Sequence, residues 1–377
     1  MTSRMLAAAL IAVTAAGCGS DGREEPDMSS LPPLLPRSYD FHIFYYAWYG
    51  TPAVDGRWHH WNHEVLSPDG GGSGSAYPGG DDIGSAFFPD GGPYSSNDPA
   101  VLDRHMKQIR LAGAGVVCVS WWGEGSFSDR AVPGLLEAAA RHGLKVSFHI
   151  EPFEGRGAPS TRRAVEYIVD EYGAHKAFYR TDRFGRRPMF FVYDSYLTPP
   201  AEWATVLSPS GPATLRGTTY DSIVIGLWVN EGDGDSIAAA GFDGFYTYFA
   251  VDGFTHGSTP DNWTAMSLWA WERDLLFVPC IGPGYDDTRI RPWNAANRRE
   301  RERGEYMARM FRKAYAASTP FLGITSFNEW HEGTQIEPAV PKSIDGYAYR
   351  DYSPLPLDYY LHWTRSFLMN YKYTFSK

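Results

Sequence analysis

Two carboxylates three residues apart are the clearest chemical feature of this chain. Glu329 and Glu332 lie in the segment SFNEWHEGTQIE at 326–337, directly after the apolar run FLGIT at 321–325. That run predicts a buried strand, so both glutamates would stand where a strand opens into a loop, the place where barrel enzymes keep their catalytic residues. Two carboxylates flanking one bond are typical of enzymes that cleave sugar linkages. The pattern therefore favours glycoside hydrolysis over the simpler alternative of two surface glutamates.

The residues around this pair suit the same chemistry. Trp330 and His331 lie between the glutamates and would supply a stacking ring and a polar neighbour, whereas Glu337 is expected to be structural. Aromatic residues make up 15% of the chain, with 13 Trp and 24 Tyr. Such a content fits sugar stacking, although large α/β cores also use many aromatic rings.

Strand-like and helix-like segments alternate along the 377 residues, which predicts a parallel sheet wrapped by helices. Strands are predicted at 41–48, 115–121, 145–151, 188–194, 222–229, 241–249, 275–281 and 321–327. Helices are predicted at 99–111, 131–142, 161–172, 200–207, 235–240, 261–273, 296–318 and 355–372. Eight strands favour an α/β fold of one domain, a closed (β/α)8 TIM barrel.

An open doubly wound sheet is the alternative to the barrel. It would carry a glycine-rich phosphate turn after its first strand, and YGTP at 49–52 is not such a turn. Residues 51–97, which include GGGSGS at 70–75, instead form a long loop insertion after strand one. Loops after the strands build the active face of a barrel, so this insertion is expected to shape the cleft.

The N-terminal residues predict export. Residues 1–17 combine Arg4 with a short apolar segment, the pattern of a signal peptide. AAGC at 15–18 resembles a bacterial lipobox, which predicts a lipid on Cys18 and a membrane-anchored lipoprotein at the bacterial cell surface or in the periplasm; ordinary secretion is the alternative. Residues 18–38 are acidic and rich in proline and predict a flexible spacer, leaving 39–377 as the catalytic domain.

Composition argues against several other classes of function. The formal net charge of −10 disfavours binding to nucleic acid or to anionic lipid heads. Cys118 and Cys280 fall singly in apolar runs, which favours two buried thiols over a disulfide. No Cys/His spacing matches a structural zinc site. Hydrolysis by two carboxylates requires no metal and no cofactor, so we expect none for the reaction. We also expect a monomer.

Polar and aromatic residues follow most of the predicted strands. They occur in YYAWYG at 45–50, HHWNH at 59–63, SWWG at 120–123, HIEP at 149–152, YDSY at 193–196, YTYF at 246–249, GPGY at 282–285 and RIRPWN at 289–294. Because the carboxyl ends of barrel strands meet at one rim, these side chains are expected to gather around the glutamates.

Seven segments, in order, resemble glycoside hydrolase family 99, which comprises endo-α-1,2-mannosidases of eukaryotic glycoprotein processing and bacterial endo-α-mannanases. They are FYYAWYG at 44–50, HWNH at 60–63, DDIGS at 81–85, FHIEP at 148–152, YDSY at 193–196, GPGY at 282–285 and the stretch 325–337. The resemblance spans residues 40–372. It implies a barrel that cuts within α-mannan or high-mannose oligosaccharides and retains the anomeric configuration.

The resemblance also implies the catalytic route. Glu329 would take the proton of the sugar 2-hydroxyl, which attacks its own anomeric carbon to give a 1,2-anhydro sugar. Glu332 would protonate the leaving oxygen and then activate the water that opens the ring. The acid must hold a proton near neutral pH while the base is ionised, so the two environments must differ.

Substrate contacts are implied residue by residue. Glu151, Tyr248, Tyr46 and Arg291 are expected around the cleaved mannose. Trp122 matches the second Trp of bacterial mannan-degrading members, where eukaryotic members carry Tyr, and so favours mannose over glucose at the outer subsite. Further contacts are expected from His60, Trp61, Asn62 and His63 toward the leaving group, and from Tyr193, Asp194, Trp293, Asn294, Trp330 and His331. Core packing is the alternative for each aromatic residue.

Two other functions fit the sequence less well. A different retaining barrel glycosidase would place an Asn-Glu pair after strand four and a Glu after strand seven, but those strands end in YDSY and GPGY. A surface glycan-binding lipoprotein without activity would share the anchor and the aromatic residues. It would have no need of a paired acid and base, so the sequence favours an enzyme.

Overall fold

The computed structural model describes residues 31–35 and 37–371. In that part of the chain, eight parallel strands alternate with eight helices and form a (β/α)8 barrel, as predicted. The strands are β1 (Phe41–Tyr46), β2 (Val116–Trp121), β3 (Lys145–Ile150), β4 (Arg187–Val192), β5 (Ile223–Leu227), β6 (Gly244–Tyr246), β7 (Leu276–Val278 and Cys280–Ile281) and β8 (Leu322–Ile324). The helices are α1 (Pro99–Ala112), α2 (Phe127–Arg141), α3 (Ala158–Tyr172), α4 (Pro200–Leu207), α5 (Asp233–Ala240), α6 (Trp263–Trp271), α7 (Glu305–Ala317) and α8 (Tyr359–Asn370).

The barrel closes through β7, which is divided by Pro279. Its first segment pairs with β6, with Leu276 opposite Gly244, and its second segment pairs with β8, with Cys280 opposite Gly323. Proline has no N–H to give to the ladder. Its carbonyl still accepts a hydrogen bond from the Gly323 amide at 2.9 Å, so the ring of strands stays continuous.

Aromatic rings fill the barrel just below its carboxyl-end rim. β1, β2 and β5 are buried along their whole length, as strands covered on both faces should be. Inside the barrel, the Phe44 ring lies 4.9 Å from His149, 5.7 Å from Phe191 and 5.9 Å from Tyr246 between centroids. Phe44 also meets the ring of Tyr248 at 5.3 Å, so this layer supports the residues at the rim.

Six of the eight helix starts differ from the prediction, by two to nine residues, and two of these differences have a clear local reason. The helix predicted from residue 131 begins at Phe127, because the Ser126 side chain caps it by accepting the Asp129 amide. The helix predicted from residue 296 begins only at Glu305. Before it, Arg303 and Gly304 have left-handed φ values of 54° and 93°, which interrupt a continuous α-helix.

The insertion between β1 and α1 is ordered against the body of the barrel. It contains a short helix, Pro52–Asp55, and an antiparallel hairpin, Glu64–Leu66 with Gly72–Ala76, whose second strand is exposed. Further along, Phe87 bridges to Arg350 and Pro89 bridges to Ala339. The insertion thereby forms one wall beside the loop that follows β8.

Several predictions concern residues at the N-terminus and the two cysteines. The predicted signal peptide at 1–17, the predicted lipid attachment at Cys18 and the predicted spacer as far as residue 30 lie outside the described residues. Among the described helices, none is long and apolar enough to cross a membrane. Cys118 and Cys280 are buried and free, as predicted.

Candidate active site

A cavity of about 510 Å³ opens where the strands end, at the carboxyl rim of the barrel. Side chains that follow β1, β2, β3, β4, β6, β7 and β8 meet there, together with residues of the insertion. The lining residues are Tyr46, Trp48, His60, His63, Trp122, Phe127, Ser128, Glu151, Tyr193, Tyr248, Arg291, Glu329 and Glu332. The cavity therefore combines carboxylates with aromatic rings, a lining suited to a sugar chain.

Glu329 is held in a closed environment. The side chain of Asn328 joins the β8 loop to β1, accepting the Tyr46 amide at 2.7 Å and donating to the Tyr46 carbonyl at 3.0 Å. The Glu329 amide donates to Ser326 Oγ at 2.8 Å, and the carboxylate accepts the His331 amide at 3.1 Å. With only 3% of Glu329 exposed, its carboxylate is nearly cut off from water.

Glu332 has a more polar environment. Its carboxylate lies 3.5 Å from the Arg291 guanidinium and keeps 23% exposure. Arg291 is also 3.2 Å from Asp287, which accepts hydrogen bonds at 2.8 Å from Tyr285 Oη and from the Asn294 amide. The backbone N–H of Asp286, in the segment after β7, donates to the Glu332 carbonyl. The segment after β7 thus orients Arg291 toward Glu332.

Burial raises the pKa of both glutamates, because a charged carboxylate loses its hydration. The pKa of Glu329 lies well above its ordinary value through burial and then through the negative charge of Glu332. Burial raises the pKa of Glu332 to about 7; Arg291 opposes that rise and Asp287 adds to it. Near neutral pH the pair therefore retains a proton, which general acid catalysis requires.

Glu151 is joined to Trp122 by a serine. Ser120 Oγ donates to the Glu151 carboxylate at 2.7 Å and accepts the Trp122 indole N–H at 3.0 Å. On its other side, His149 Nδ1 lies 3.0 Å from the same carboxylate oxygen, and His149 Nε2 is 2.6 Å from Tyr246 Oη. Because Glu151 is only 4% exposed, these contacts fix its direction into the cavity.

Two phenols face each other across the cavity floor. The hydroxyl groups of Tyr46 and Tyr248 are hydrogen bonded. Burial, followed by nearby carboxylates for Tyr46 and by Tyr46 itself for Tyr248, raises the pKa of each phenol well above its ordinary value. Tyr248 has a left-handed φ of 44°, and its carbonyl accepts Thr325 Oγ at 2.6 Å. Both phenols are therefore neutral and positioned by the backbone.

Comparison with known proteins agrees with this geometry. Residues 36–373 match the sequence model of glycosyl hydrolase family 99. The chain belongs to glycosyl hydrolase family 99. It is 46% identical over 358 residues to the glycoprotein endo-alpha-1,2-mannosidase of Xenopus laevis, covering 92% of this chain and 79% of that protein. The rat protein of the same name is 45% identical over 360 residues, with 92% and 77% covered.

A solved structure is similar over most of the barrel. The GH99 endo-alpha-mannosidase from Bacteroides thetaiotaomicron superposes with a TM-score of 0.85 at 48% identity, covering 88% of this chain and 97% of that one. A glycoside hydrolase-like protein at 14% identity and a TM-score of 0.59 shares the fold. The predicted family and the prediction of a glycoside hydrolase are confirmed.

Most of the residues selected from the sequence meet in this family 99 cavity. The cavity wall holds the predicted Tyr46, His60, His63, Trp122, Glu151, Tyr193, Tyr248, Arg291, Glu329 and Glu332. They come from strand ends far apart in sequence and from the long insertion. Their substrate contacts stay predictions, but the barrel brings their side chains to one place.

Two predicted tryptophans lie in the core, away from the cavity wall. Trp61 is fully buried, stacks on Tyr49 at 4.1 Å and donates its indole N–H to the Tyr94 carbonyl at 2.7 Å. Trp330 is also fully buried and donates to Glu337 at 3.0 Å. Burying the large apolar area of an indole ring is favourable, which explains why both rings pack in the core. The buried Glu337 is a hydrogen-bond acceptor of this core.

Other predicted contacts lie outside the cavity lining. Asn62 is exposed, and Trp293 is 48% exposed with its indole N–H on the Leu66 carbonyl at 3.1 Å. The side-chain amide of Asn294 donates to Asp287, which in turn contacts the cavity residue Arg291. Asp194 has a left-handed φ of 50°, and its carbonyl accepts Arg156. His331 is 2% exposed and lies behind the wall, beside Glu329.

Three residues of the cavity wall are not among those predicted from the sequence. Trp48 stacks on His60 with ring centroids 4.3 Å apart and an interplanar angle of 11°. Its position in YYAWYG, at the end of a predicted strand, was a usable signal. Phe127 and Ser128 come from the first turn of α2, and Ser128 Oγ accepts the Trp122 amide at 3.1 Å. Because the helix was predicted to begin only at residue 131, Phe127 and Ser128 were not assigned to its first turn.

Proposed function

We propose that the protein is an endo-acting α-mannosidase that cleaves internal α-1,2-mannosidic bonds with retention of configuration. The names of its relatives support both the bond type and cleavage within the chain. The main observation is the pair itself. Glu329 and Glu332 meet at one cavity, one enclosed and one beside Arg291, and both resist ionisation. A protein that only bound glycans would have no use for that arrangement.

The first step assigns the two glutamates different roles. Glu329, enclosed and of raised pKa, is the stronger base when ionised, and it takes the proton of the mannose 2-hydroxyl. The 2-oxygen bonds to the anomeric carbon while the bond to the leaving oxygen breaks. Glu332 gives its proton to that oxygen, which leaves as a hydroxyl. The pair holds one proton, and the reactive arrangement has it on Glu332.

The second step restores both groups. Water enters beside Glu332, whose partial exposure gives it contact with solvent. Glu332 takes a proton from that water while the water oxygen bonds to the anomeric carbon. The bond from the anomeric carbon to the 2-oxygen breaks at the same time. Glu329 returns its proton to the 2-oxygen. Two inversions give net retention, and the sum is hydrolysis.

The outer sugar is proposed to be mannose. The Trp122 indole is fixed at the cavity edge by its bond to Ser120 Oγ at 3.0 Å and by the Trp122 amide on Ser128. A fixed indole leaves less room for a sugar that extends further toward that wall. We therefore propose mannan or mannose-capped high-mannose glycans as substrates ahead of glucose-capped ones.

Matched oligosaccharides test the proposal. The protein is incubated with mannose-capped and glucose-capped α-1,2-linked substrates, and the released disaccharide and its anomer are identified by NMR. We expect the mannose-capped disaccharide with retained configuration. Release of single mannose residues would contradict endo action, and an inverted product would contradict the anhydro-sugar route. Binding of either oligosaccharide without cleavage would favour the inactive glycan-binding lipoprotein.

We also propose that the enzyme is exported and anchored through a lipid on Cys18. The support is the apolar segment at 5–16, whose last two residues begin the AAGC motif at 15–18. Expression in a bacterial host with labelled palmitate should label the protein, and Cys18→Ser should lose the label and release activity from the membrane fraction. A label retained in that variant would contradict the assignment.

A further inference from the structure

Three histidine rings converge on one side of the cavity. His60 and His63 come from the insertion after β1, and His331 from the loop after β8. One ring nitrogen of each lies within 4.8 Å of one ring nitrogen of each of the others. The His63 and His331 rings are closest, with centroids 4.6 Å apart. Hydrolysis by the two glutamates gives these rings no proton to transfer; they are expected only as substrate contacts.

Backbone carbonyls fix the tautomers of two of these rings. His63 Nδ1 lies 2.6 Å from the Glu64 carbonyl, and His331 Nδ1 lies 2.8 Å from the Gly84 carbonyl. A carbonyl only accepts, so each Nδ1 carries the hydrogen and each Nε2 keeps a free lone pair. His331 Nε2 is buried and has no hydrogen-bond partner among the described residues. A buried acceptor without a partner marks a place where a ligand would be stabilised.

The rings are neutral, as metal ligands must be. Burial and then the neighbouring His63 lower the pKa of His60 to about 3, and burial lowers the pKa of His331 well below its ordinary value. Burial also lowers the pKa of His63. Arg291 adds positive charge near His63 and His331, but Glu332 and Asp287 lie beside that guanidinium.

The surroundings hold the rings in place. Carbonyls bonded to Nδ1 are the usual outer partners of metal-bound histidines. The Trp48 indole stacks on His60 at 4.3 Å and sets its plane. A side chain at Gly84 would meet His63 Cβ at 2.9 Å, so glycine there allows the insertion to approach His63 closely.

We propose that His60, His63 and His331 form a binding site for one divalent transition-metal ion such as Zn²⁺. A tetrahedral ion with Zn–N bonds of about 2.0–2.1 Å needs nitrogens about 3.4 Å apart, so the rings close by roughly 1 Å on binding. Three protein ligands leave a fourth position for water or a sugar hydroxyl. His60 and His63 line the cavity with the glutamates, so that position opens toward the substrate.

The bound ion is an inhibitor of the reaction, and this consequence depends on the proposed function. It occupies the side of the cavity expected for the leaving-group sugars. Metal binding itself is independent of any mannosidase activity.

Calorimetry on the purified, tag-free protein tests the site directly. Zn²⁺ should bind in a 1:1 ratio with a Kd below about 10 µM, whereas Mg²⁺ and Ca²⁺, which prefer oxygen ligands, should not compete. His63→Gln and His331→Gln should each weaken Zn²⁺ binding at least tenfold. His362→Gln, at a histidine 57% exposed on α8, is the matched control and should bind as the wild type does.

Two further measurements decide the outcome. Crystals of the wild type soaked in Zn²⁺ should show an anomalous peak among the three rings, a test that needs no variant to fold. Saturating Zn²⁺ should raise the apparent KM for an α-1,2-mannan oligosaccharide, with reversal by EDTA. Equal Zn²⁺ affinity in all variants, or a peak elsewhere, overturns the site. An unchanged KM overturns the inhibition, and a protein without mannosidase activity leaves the calorimetric result intact.

Discussion

The carboxylate of Glu332 lies 3.5 Å from the guanidinium of Arg291. This contact separates the environments of the two catalytic candidates, because it opposes the effect of burial on Glu332. Glu329, three residues earlier, receives a backbone N–H from His331 in a closed pocket. Two carboxyl groups of one short loop thereby acquire different proton affinities, which an acid and a base require.

Removing either carboxylate should stop turnover. Glu329→Gln and Glu332→Gln should each lower kcat on an α-mannan oligosaccharide by at least about 10³-fold, since a neutral amide neither takes nor gives the proton. Calorimetry should still detect oligosaccharide binding in both variants. Glu154→Gln, at an exposed glutamate, is the control and should keep wild-type kcat. Activity surviving in either glutamate variant would refute the assignment.

The pH dependence of kcat/KM should reflect the ionisation of Glu329 and Glu332. Glu332, with a pKa of about 7, is the first of the two glutamates to ionise, so the pair with one proton forms and kcat/KM should rise as pH increases toward about 7. Arg291 lowers the pKa of Glu332, so Arg291→Met should move this limb to higher pH, besides weakening catalysis. Initial rates between pH 4 and 9 give both midpoints. A limb that stays in place or moves to lower pH would contradict this role of Arg291.

The carboxyl group of Glu332 should lower the free energy of unfolding at alkaline pH. Its pKa is raised from 4.5 to about 7 in the folded state, so folding favours the protonated form and stability falls as pH rises from 4.5 to 7. Glu332→Gln should therefore be more stable than the wild type at pH 8, by about 1–3 kcal/mol. The gain should vanish below pH 4.5, where both states are protonated. Urea unfolding at pH 4 and pH 8 measures it, and an equal difference at both values would exclude this cause.

The outer-sugar preference should depend on one indole. Trp122→Tyr should raise the ratio of kcat/KM for glucose-capped over mannose-capped substrate by about tenfold, because a smaller ring leaves more room at the cavity edge. Trp271→Tyr, at a tryptophan 50% exposed at the end of α6, should leave the ratio unchanged. If Trp122→Tyr lowered both rates equally, the indole would contribute to binding without selecting the sugar.

Local sequence patterns predicted the existence and type of the strands and helices better than the residues at which they begin and end. The apolar run of β2 was placed at 115–121 and is observed at Val116–Trp121, because a strand buried on both faces needs continuous apolar residues. The start of α7 was placed nine residues early, because the left-handed φ of Arg303 depends on its contacts and leaves no mark in its residue type. The Ser126 cap was visible in the sequence but was not used.

The sequence by itself predicted the barrel, the paired glutamates and the family, since strand periodicity and the residue types at strand ends are local properties. Tertiary structure decided which rings line the cavity: Trp61 and Trp330 lie in the core, whereas Trp48 lies on the cavity wall. It also decided the proton affinities of Glu329 and Glu332 and the convergence of three histidines. Burial and distance between remote segments set these properties, and neither is encoded in spacing along the chain.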